Sequence, residues 1–170
     1  PGFVEPMVES TAAALAQIPV ERREKARLLF TAHSIPQSMA ATCQYEAQLQ
    51  EASRLMAAGV GRADWQLVYQ SRSGPPSQPW LEPDVGVALK EIAAAGRQDV
   101  VVVPVGFISD HMEVLFDLDE GAQGIARQLG LNMVRAATVG THPRFVRMIV
   151  ELVQERLNEN PVRLALGNLG

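Results

Sequence analysis

Four short apolar segments, separated by helical patterns, constrain the fold of this chain most strongly. The clearest is Asp99–Phe107, which contains four consecutive valines and is typical of a buried parallel strand. The other predicted strands are Arg27–Ala32, Trp65–Gln70 and Asn132–Val139. Strands that alternate with helices predict the α/β class, in which helices flank a parallel sheet and the crossovers are right-handed.

Apolar residues at helical spacing, with glycine and proline at the ends, predict five helices around these strands. We expect Asp84 to cap the third helix, and either Ser109 or Asp110 to cap the fourth. The predicted helices are Phe3–Gln17, Tyr45–Ala58, Asp84–Ala95, His111–Leu129 and Arg144–Arg156.

Composition narrows the possible functions. A net charge of −4 gives no basic field, so nucleic acid is not an expected partner. The longest apolar run contains Pro104 and Gly106 and is shorter than the roughly 20 residues that span a bilayer. No leader segment is visible, so we expect a cytoplasmic location. Cys43 is the only cysteine, and therefore neither an internal disulfide nor an iron–sulfur cluster is expected.

Polar residues with catalytic potential fall where the predicted strands end. Ligands of such sheets bind beyond the carboxyl ends of the strands, and this rule selects His33–Pro36, Ser71–Trp80 and Gly106–Glu113. The neutral imidazole of His33 can accept a proton or bind a metal ion. The alternative is a loop histidine that only forms hydrogen bonds with the backbone, and position alone leaves both interpretations open.

The acidic start of the fourth helix is a second candidate. On an α-helix, Glu113, Asp117 and Glu120 share one face, and carboxylates clustered there attract a cation. The alternative is a solvated acidic surface, because negative charge is favoured at a helix start. This alternative is strongest for Glu120 and weaker for Glu113, which lies among apolar residues.

The segment Ser71–Pro83 is rich in glycine, serine and proline and is longer than a simple connection requires. Arg72 can pair with a ligand carboxylate, and Trp80 can form an apolar wall. Alternatively, Arg72 forms a structural ion pair with an aspartate, and Trp80 holds the loop in place, which is the favoured interpretation for Trp80. We assign no chemistry to His142.

Three long motifs resemble the ferrochelatase family in sequence, order and spacing: Phe30–Pro36 (FTAHSIP), Val68–Leu81 and Val101–Asp119. The resemblance implies a chelatase-like, Rossmann-like lobe that inserts Fe²⁺, as a substrate, into protoporphyrin IX or coproporphyrin III without a permanently bound cofactor. It also implies that residues 1–156 form a carboxy-terminal lobe with its final helix, that residues 157–170 are a tail, and that an amino-terminal lobe is missing from this sequence.

The resemblance also suggests roles for the candidate residues. His33 and Glu113 match the pair that catalyses insertion and binds the metal. By the same resemblance, Asp117 and Glu120 are candidates for a metal or proton path, and Ser34, Asp110 and His111 are supporting residues. The candidate porphyrin contacts are Gln70, Ser71, Arg72 and Trp80. One departure is Gly121, where the family usually carries a carboxylate; Glu120 lies one residue early, about 100° from that position on an α-helix.

Two alternatives remain open. One is a related chelatase that loads cobalt or another metal into a tetrapyrrole, in some cases as a single-lobed homodimer. The other is a porphyrin-binding lobe without catalysis. The expected protein partner is accordingly the amino-terminal lobe or a second copy of this chain.

Overall fold

The computed structural model describes residues 1–75 and 77–158, which contain a four-stranded parallel sheet in the order β2-β1-β3-β4. The strands are β1 (Arg27–His33), β2 (Trp65–Gln70), β3 (Asp99–Val103) and β4 (Asn132–Arg135). The predicted α/β class is confirmed. Residues 159–170, most of the predicted tail, lie outside the described residues.

Helices connect the strands and cover both faces of the sheet. They are α1 (Val4–Ala16), α2 (Val20–Arg23), α3 (Gln37–Ala40), α4 (Tyr45–Gly59), α5 (Val85–Ala94), α6 (Met112–Val114), a π-helix (Leu115–Ala122), α7 (Gln123–Gln128) and α8 (Pro143–Leu157). Periodicity did not predict the short helices α2 and α3. Within the described ranges, no helix is long and apolar enough to cross a membrane.

Alternation along β1 divides the core into two layers. Phe30 and Ala32 pack on one face with residues of α1, α4 and α8, whereas Leu29 packs on the other with residues of α5, the π-helix and α7. His33 has the same parity as Leu29, so its side chain leaves the sheet on the side of the π-helix.

Two predicted strands are shorter than expected. β3 ends at Val103 because Pro104 has no N–H for the ladder, and the N–H of Val105 instead donates to the carbonyl of Val103 at 2.8 Å. β4 ends at Arg135, which pairs with Val102, one residue before β3 ends.

The predicted helix 111–129 has the expected extent but a different form. Hydrogen bonds between residues five apart make its centre a π-helix, with short α-helices before and after it. Neither Ser109 nor Asp110 caps it; the N-cap residue is His111, without a side-chain capping bond. The predicted cap of α5 is confirmed, because Asp84 accepts from the N–H of Gly86 at 2.8 Å.

The segment after β3 runs close to β1 because position 106 is glycine. The N–H of Gly106 donates to the carbonyl of Thr31 at 3.0 Å, and a Cβ at this position would lie 2.6 Å from the Cβ of Ala32. The chain reverses its direction of progress across the sheet between β2 and β3. The carboxyl ends of β1 and β3 therefore flank the topological switch point, where ligands of such folds bind.

Candidate active site

His33 is the last residue of β1 and lies at the switch point. Its Nδ1 lies 2.5 Å from the carbonyl oxygen of Ser34, and since a carbonyl oxygen can only accept, this nitrogen carries the hydrogen. When the ring is neutral, its lone pair is therefore on Nε2. The hydroxyl of Tyr45 donates to the carbonyl of His33 at 3.0 Å, which fixes the backbone behind the ring.

Glu113 faces His33 from α6. Its Oε1 lies 3.1 Å from Nε2 of His33, and the two side chains are 45% and 37% exposed, so a ligand can reach both from solvent. The structure thus brings together the two residues that the sequence paired. The alternative for His33, a bond to the backbone alone, accounts for Nδ1 but not for Nε2.

The π-helix changes which carboxylates line up behind Glu113. A turn with bonds between residues five apart is wider than an α-helical turn, so a residue three positions after another lies further from its face. Glu120 is exposed and follows Asp117 at this spacing. The prediction that Glu113, Asp117 and Glu120 share one α-helical face is therefore wrong for Glu120, whose place on a metal or proton path has only sequence support.

Asp117 turns toward the end of β2. The hydroxyl of Ser71 and the side-chain amide of Gln70 both donate to its Oδ2, the amide at 3.4 Å. Gln70 is buried, and Ser71 has a positive φ of 62°, a strained conformation of the kind that collects at functional sites. These two residues were predicted to contact the porphyrin, and in the structure they hold a second carboxylate near the pair.

Ser34 and Trp80 support the surrounding loops. The N–H of Ser34 donates to the carbonyl of Gln70 at 2.7 Å, and its hydroxyl donates to the carbonyl of Leu81 at 2.9 Å. Trp80 is buried against Gly74, where a Cβ would lie 2.3 Å from the indole Nε1. The interpretation in which Trp80 holds the loop in place therefore fits the structure.

Arg72 binds its own loop. Its Nη2 donates to the carbonyls of Gln78 at 3.2 Å and Pro75 at 3.5 Å, and its Nη1 lies 4.0 Å from a carboxylate oxygen of Glu82. The structural ion pair weighed as the alternative is thus present, with glutamate as the acidic partner.

Asp110 and His111 occupy the turn that leads into α6. The exposed ring of His111 packs edge-on against Phe107, with 5.5 Å between centroids. Asp110 accepts from Nη1 of Arg135 at 2.9 Å, and the same guanidinium binds Asp119. Sequence reasoning missed Arg135; the available signal was its being the only charged residue in the predicted strand Asn132–Val139.

Candidate metal ligands occur here as a pair. The described residues, 1–75 and 77–158, contain no group of three or more histidine, cysteine, aspartate or glutamate side chains placed to hold a metal ion. An ion bound by His33 and Glu113 would take its other ligands from water or from the nitrogens of the porphyrin that the resemblance predicts. Both kinds of ligand suit Fe²⁺.

The fold and the pair define an α/β lobe with an accessible imidazole–carboxylate site at its switch point. A similar fold occurs in a putative cobalamin (vitamin B12) biosynthesis CbiX protein from Marinobacter aquaeolei VT8, with a TM-score of 0.55 and 19% identity, over 78% of this chain and 97% of that one. At this identity the likeness shows the fold alone.

Residues 1–157 match the ferrochelatase family, and the chain belongs to this family. It is 54% identical over its whole length to a ferrochelatase of Rhodopirellula baltica. It is also 52% identical to a coproporphyrin III ferrochelatase of Frankia alni, and 46% identical over 98% of the chain to one of Mycolicibacterium smegmatis. The chain spans about half the length of these relatives, namely 48%, 46% and 50%.

Proposed function

We propose that this chain is the carboxy-terminal lobe of a ferrochelatase that inserts Fe²⁺ into a porphyrin. The observation that carries the proposal is the 3.1 Å approach of His33 Nε2 to Glu113 Oε1 at a site that solvent can reach. The relatives named ferrochelatase and coproporphyrin III ferrochelatase support it, since their sequences match along the whole chain.

The pair suits the chemistry of insertion. The macrocycle loses two pyrrole N–H protons while its four nitrogens bind the divalent ion, so net charge is conserved. When it holds no proton, the pair carries one negative charge, which attracts Fe²⁺. Taking up the first pyrrole proton makes the pair neutral, and the second proton passes to Asp117 or to water. Asp117, held by Ser71 and Gln70, provides a second carboxylate through which a proton or the ion can pass.

Exposed apolar side chains near the pair suit a flat macrocycle. Met112 and Phe116 lie along the helix on either side of Glu113 and are 83% and 67% exposed. Ile108 is also exposed in the turn before α6. Large apolar surface next to a few placed polar groups is typical of a ligand site. We propose coproporphyrin III as the first substrate to test, because several similar relatives are named for it, and protoporphyrin IX as the second.

α8 presents an apolar surface that the described residues leave open. Phe145 anchors this helix against Phe3, with 6.1 Å between ring centroids. At about 100° per residue, one contiguous stripe forms on the outer side of the helix. Its members, each between 46% and 79% exposed, are Val146, Ile149, Val150, Val153 and Leu157.

The proposed occupant of this stripe is the amino-terminal lobe. The relatives carry about as much chain again as this one, which is enough for a lobe of similar size. We expect Val150→Asp with Val153→Asp to weaken binding of a separately produced amino-terminal lobe, measured by calorimetry. Arg147→Asp, at an exposed position about 100° from Val146, changes the net charge by the same amount and is the matched control. A stable dimer of this chain in light scattering, lost in the double variant, would favour a second copy instead.

An iron-insertion assay tests the function directly. The chain is compared alone and joined to its upstream coding region, with Fe²⁺ and each porphyrin under anaerobic conditions, by absorption of the metalloporphyrin. We expect insertion by the joined protein and little by the chain alone, because the proposed amino-terminal lobe would form the other side of the cleft. Insertion of Co²⁺ but not Fe²⁺ would favour the cobalt chelatase, and porphyrin binding without insertion of either ion would favour the non-catalytic lobe. A cytoplasmic location stays a prediction that cell fractionation can test.

A further inference from the structure

Arg135 joins the two ends of the segment that carries Glu113. It is the last residue of β4, and its Nη1 donates to Asp110 Oδ1 at 2.9 Å. Its Nε and Nη2 donate to the two carboxylate oxygens of Asp119 at 2.5 and 3.0 Å. Asp110 precedes Glu113 in the turn before α6, and Asp119 follows it in the π-helix. One guanidinium therefore closes a loop of chain around the glutamate.

These contacts fix orientation as well as distance. A planar guanidinium that binds a carboxylate through two parallel bonds restrains rotation of the partner, and the Arg135 side chain is only 16% exposed. Burial alone would lower the pKa of Arg135, but hydrogen bonds and charge from Asp119 and Asp110 outweigh burial and raise it. The Arg135 guanidinium therefore stays positively charged in the folded lobe.

Glu113 needs support of this kind. Its side chain is half-exposed and reaches His33 from a different element, so burial does not hold it in place. The π-helix that follows is an uncommon form, and a shift of its wide turn by one residue would rotate the preceding turn relative to β1. Asp119 lies within that π-helix and is bound to β4, which opposes such a shift.

We propose that Arg135 is a positioning residue for iron insertion: it holds α6 and the π-helix in the register that keeps Glu113 opposite His33. This inference rests on the proposed function. Arg135 acts through Asp110 and Asp119, so its loss affects turnover more than porphyrin binding.

The test compares Arg135→Gln and Arg135→Lys with a matched arginine at the opposite edge of the sheet. Arg62 is 11% exposed, and it donates to Glu24 at 2.7 Å and to the carbonyl of Arg23 at 2.9 Å. In the joined protein, Arg135→Gln should lower kcat about 10- to 100-fold per folded molecule. The porphyrin KM and Kd should stay within about twofold of the parent values. Arg135→Lys should lower kcat less than Arg135→Gln does, and Arg62→Gln should keep the parent kcat.

Two results would overturn the inference: an unchanged kcat in folded Arg135→Gln, or an equal loss in Arg62→Gln. Failure of the proposed function is distinguishable, because it appears as a parent protein that inserts no iron. In that case amide hydrogen exchange decides. Exchange about tenfold faster across residues 112–122 in Arg135→Gln alone, with β3 unchanged, supports the positioning role, and equal exchange in both variants refutes it.

Discussion

This lobe contains two histidine–glutamate pairs with similar distances between the ring nitrogen and the carboxylate oxygen, and the pairs lie at different places. At the switch point, His33 Nε2 and Glu113 Oε1 are 3.1 Å apart. Where α8 packs on α1, His142 Nε2 and Glu9 Oε2 are 3.3 Å apart. Residue type and distance do not distinguish the two pairs, so the backbone around each ring has to be considered.

The two rings have opposite hydrogen-bonding patterns. Nδ1 of His142 accepts from the backbone N–H of Arg144 at 3.3 Å as the cap of α8, so its Nε2 carries the hydrogen and donates to Glu9. Nδ1 of His33 donates to a carbonyl, so Nε2 of the neutral ring bears no hydrogen; because the facing Glu113 oxygen also only accepts, the two atoms can share a proton or a cation. The backbone partner of Nδ1 thus makes one pair a helix cap and leaves the other able to take up a proton.

The largest expected difference between the pairs is in turnover. In the joined protein, His33→Ala and Glu113→Gln should each lower iron insertion about 100- to 10,000-fold, the range expected for loss of a proton-transferring group, while porphyrin binding measured by fluorescence remains. His142→Ala removes a histidine in the same kind of pair and should leave insertion unchanged. Near-normal turnover in both site variants would mean that the site is wrongly assigned.

A smaller loss is expected at Asp117. Asp117→Asn keeps the shape of the side chain but removes its charge beside the pair, and should lower kcat about 10- to 100-fold. Glu120→Gln removes the same charge from the exposed side of the π-helix and should change kcat less than about twofold. Equal losses from both changes would restore the shared acidic face that the π-helix argues against.

The pair of His142 and Glu9 should contribute more to the stability of the lobe than the pair of His33 and Glu113. His142→Ala removes the cap of α8 and a partly exposed ion pair, and should lower the free energy of unfolding by about 0.5–2 kcal/mol in urea denaturation. His33→Ala should cost less stability, because the Nε2 side of its ring faces solvent and a half-exposed carboxylate. A larger loss for His33→Ala would contradict this division of roles.

The smallest expected difference between the pairs is the position of the hydrogen on each imidazole ring, which can be measured without a substitution. Long-range ¹H–¹⁵N NMR at a pH where both imidazoles are neutral should show the hydrogen of His33 on Nδ1 and that of His142 on Nε2. The same tautomer at both positions would remove the structural basis for assigning them different roles.

Local sequence was sufficient for much of this picture. The strands β1 and β2 follow from apolar runs, and so do the positions of His33 and Glu113 near the carboxyl ends of β1 and β3, although His33 is the last residue of β1 and not, as expected, the first residue of the loop. The rule that ligands bind at carboxyl ends of parallel strands then predicts that the two side chains converge.

Features that depend on distant partners were not predictable. The π-helix has no local signature, and its wider turn separates Glu120 from Asp117. The role of Arg135 depends on two carboxylates brought to the end of β4 by the packing of another element. Gln70 and Ser71 were likewise recognised as site residues, but their bonds to Asp117 require the folded sheet edge.

The close contact at Gly106 extends the site's sensitivity to a residue without any functional group. A methyl group there would meet the Cβ of Ala32 at 2.6 Å and act as a spacer between the two central strand ends. The turn leading into α6 would be displaced outward, and the reach of the carboxylate toward the imidazole would lengthen. The short distance between His33 and Glu113 thus depends on the absence of a Cβ atom at Gly106.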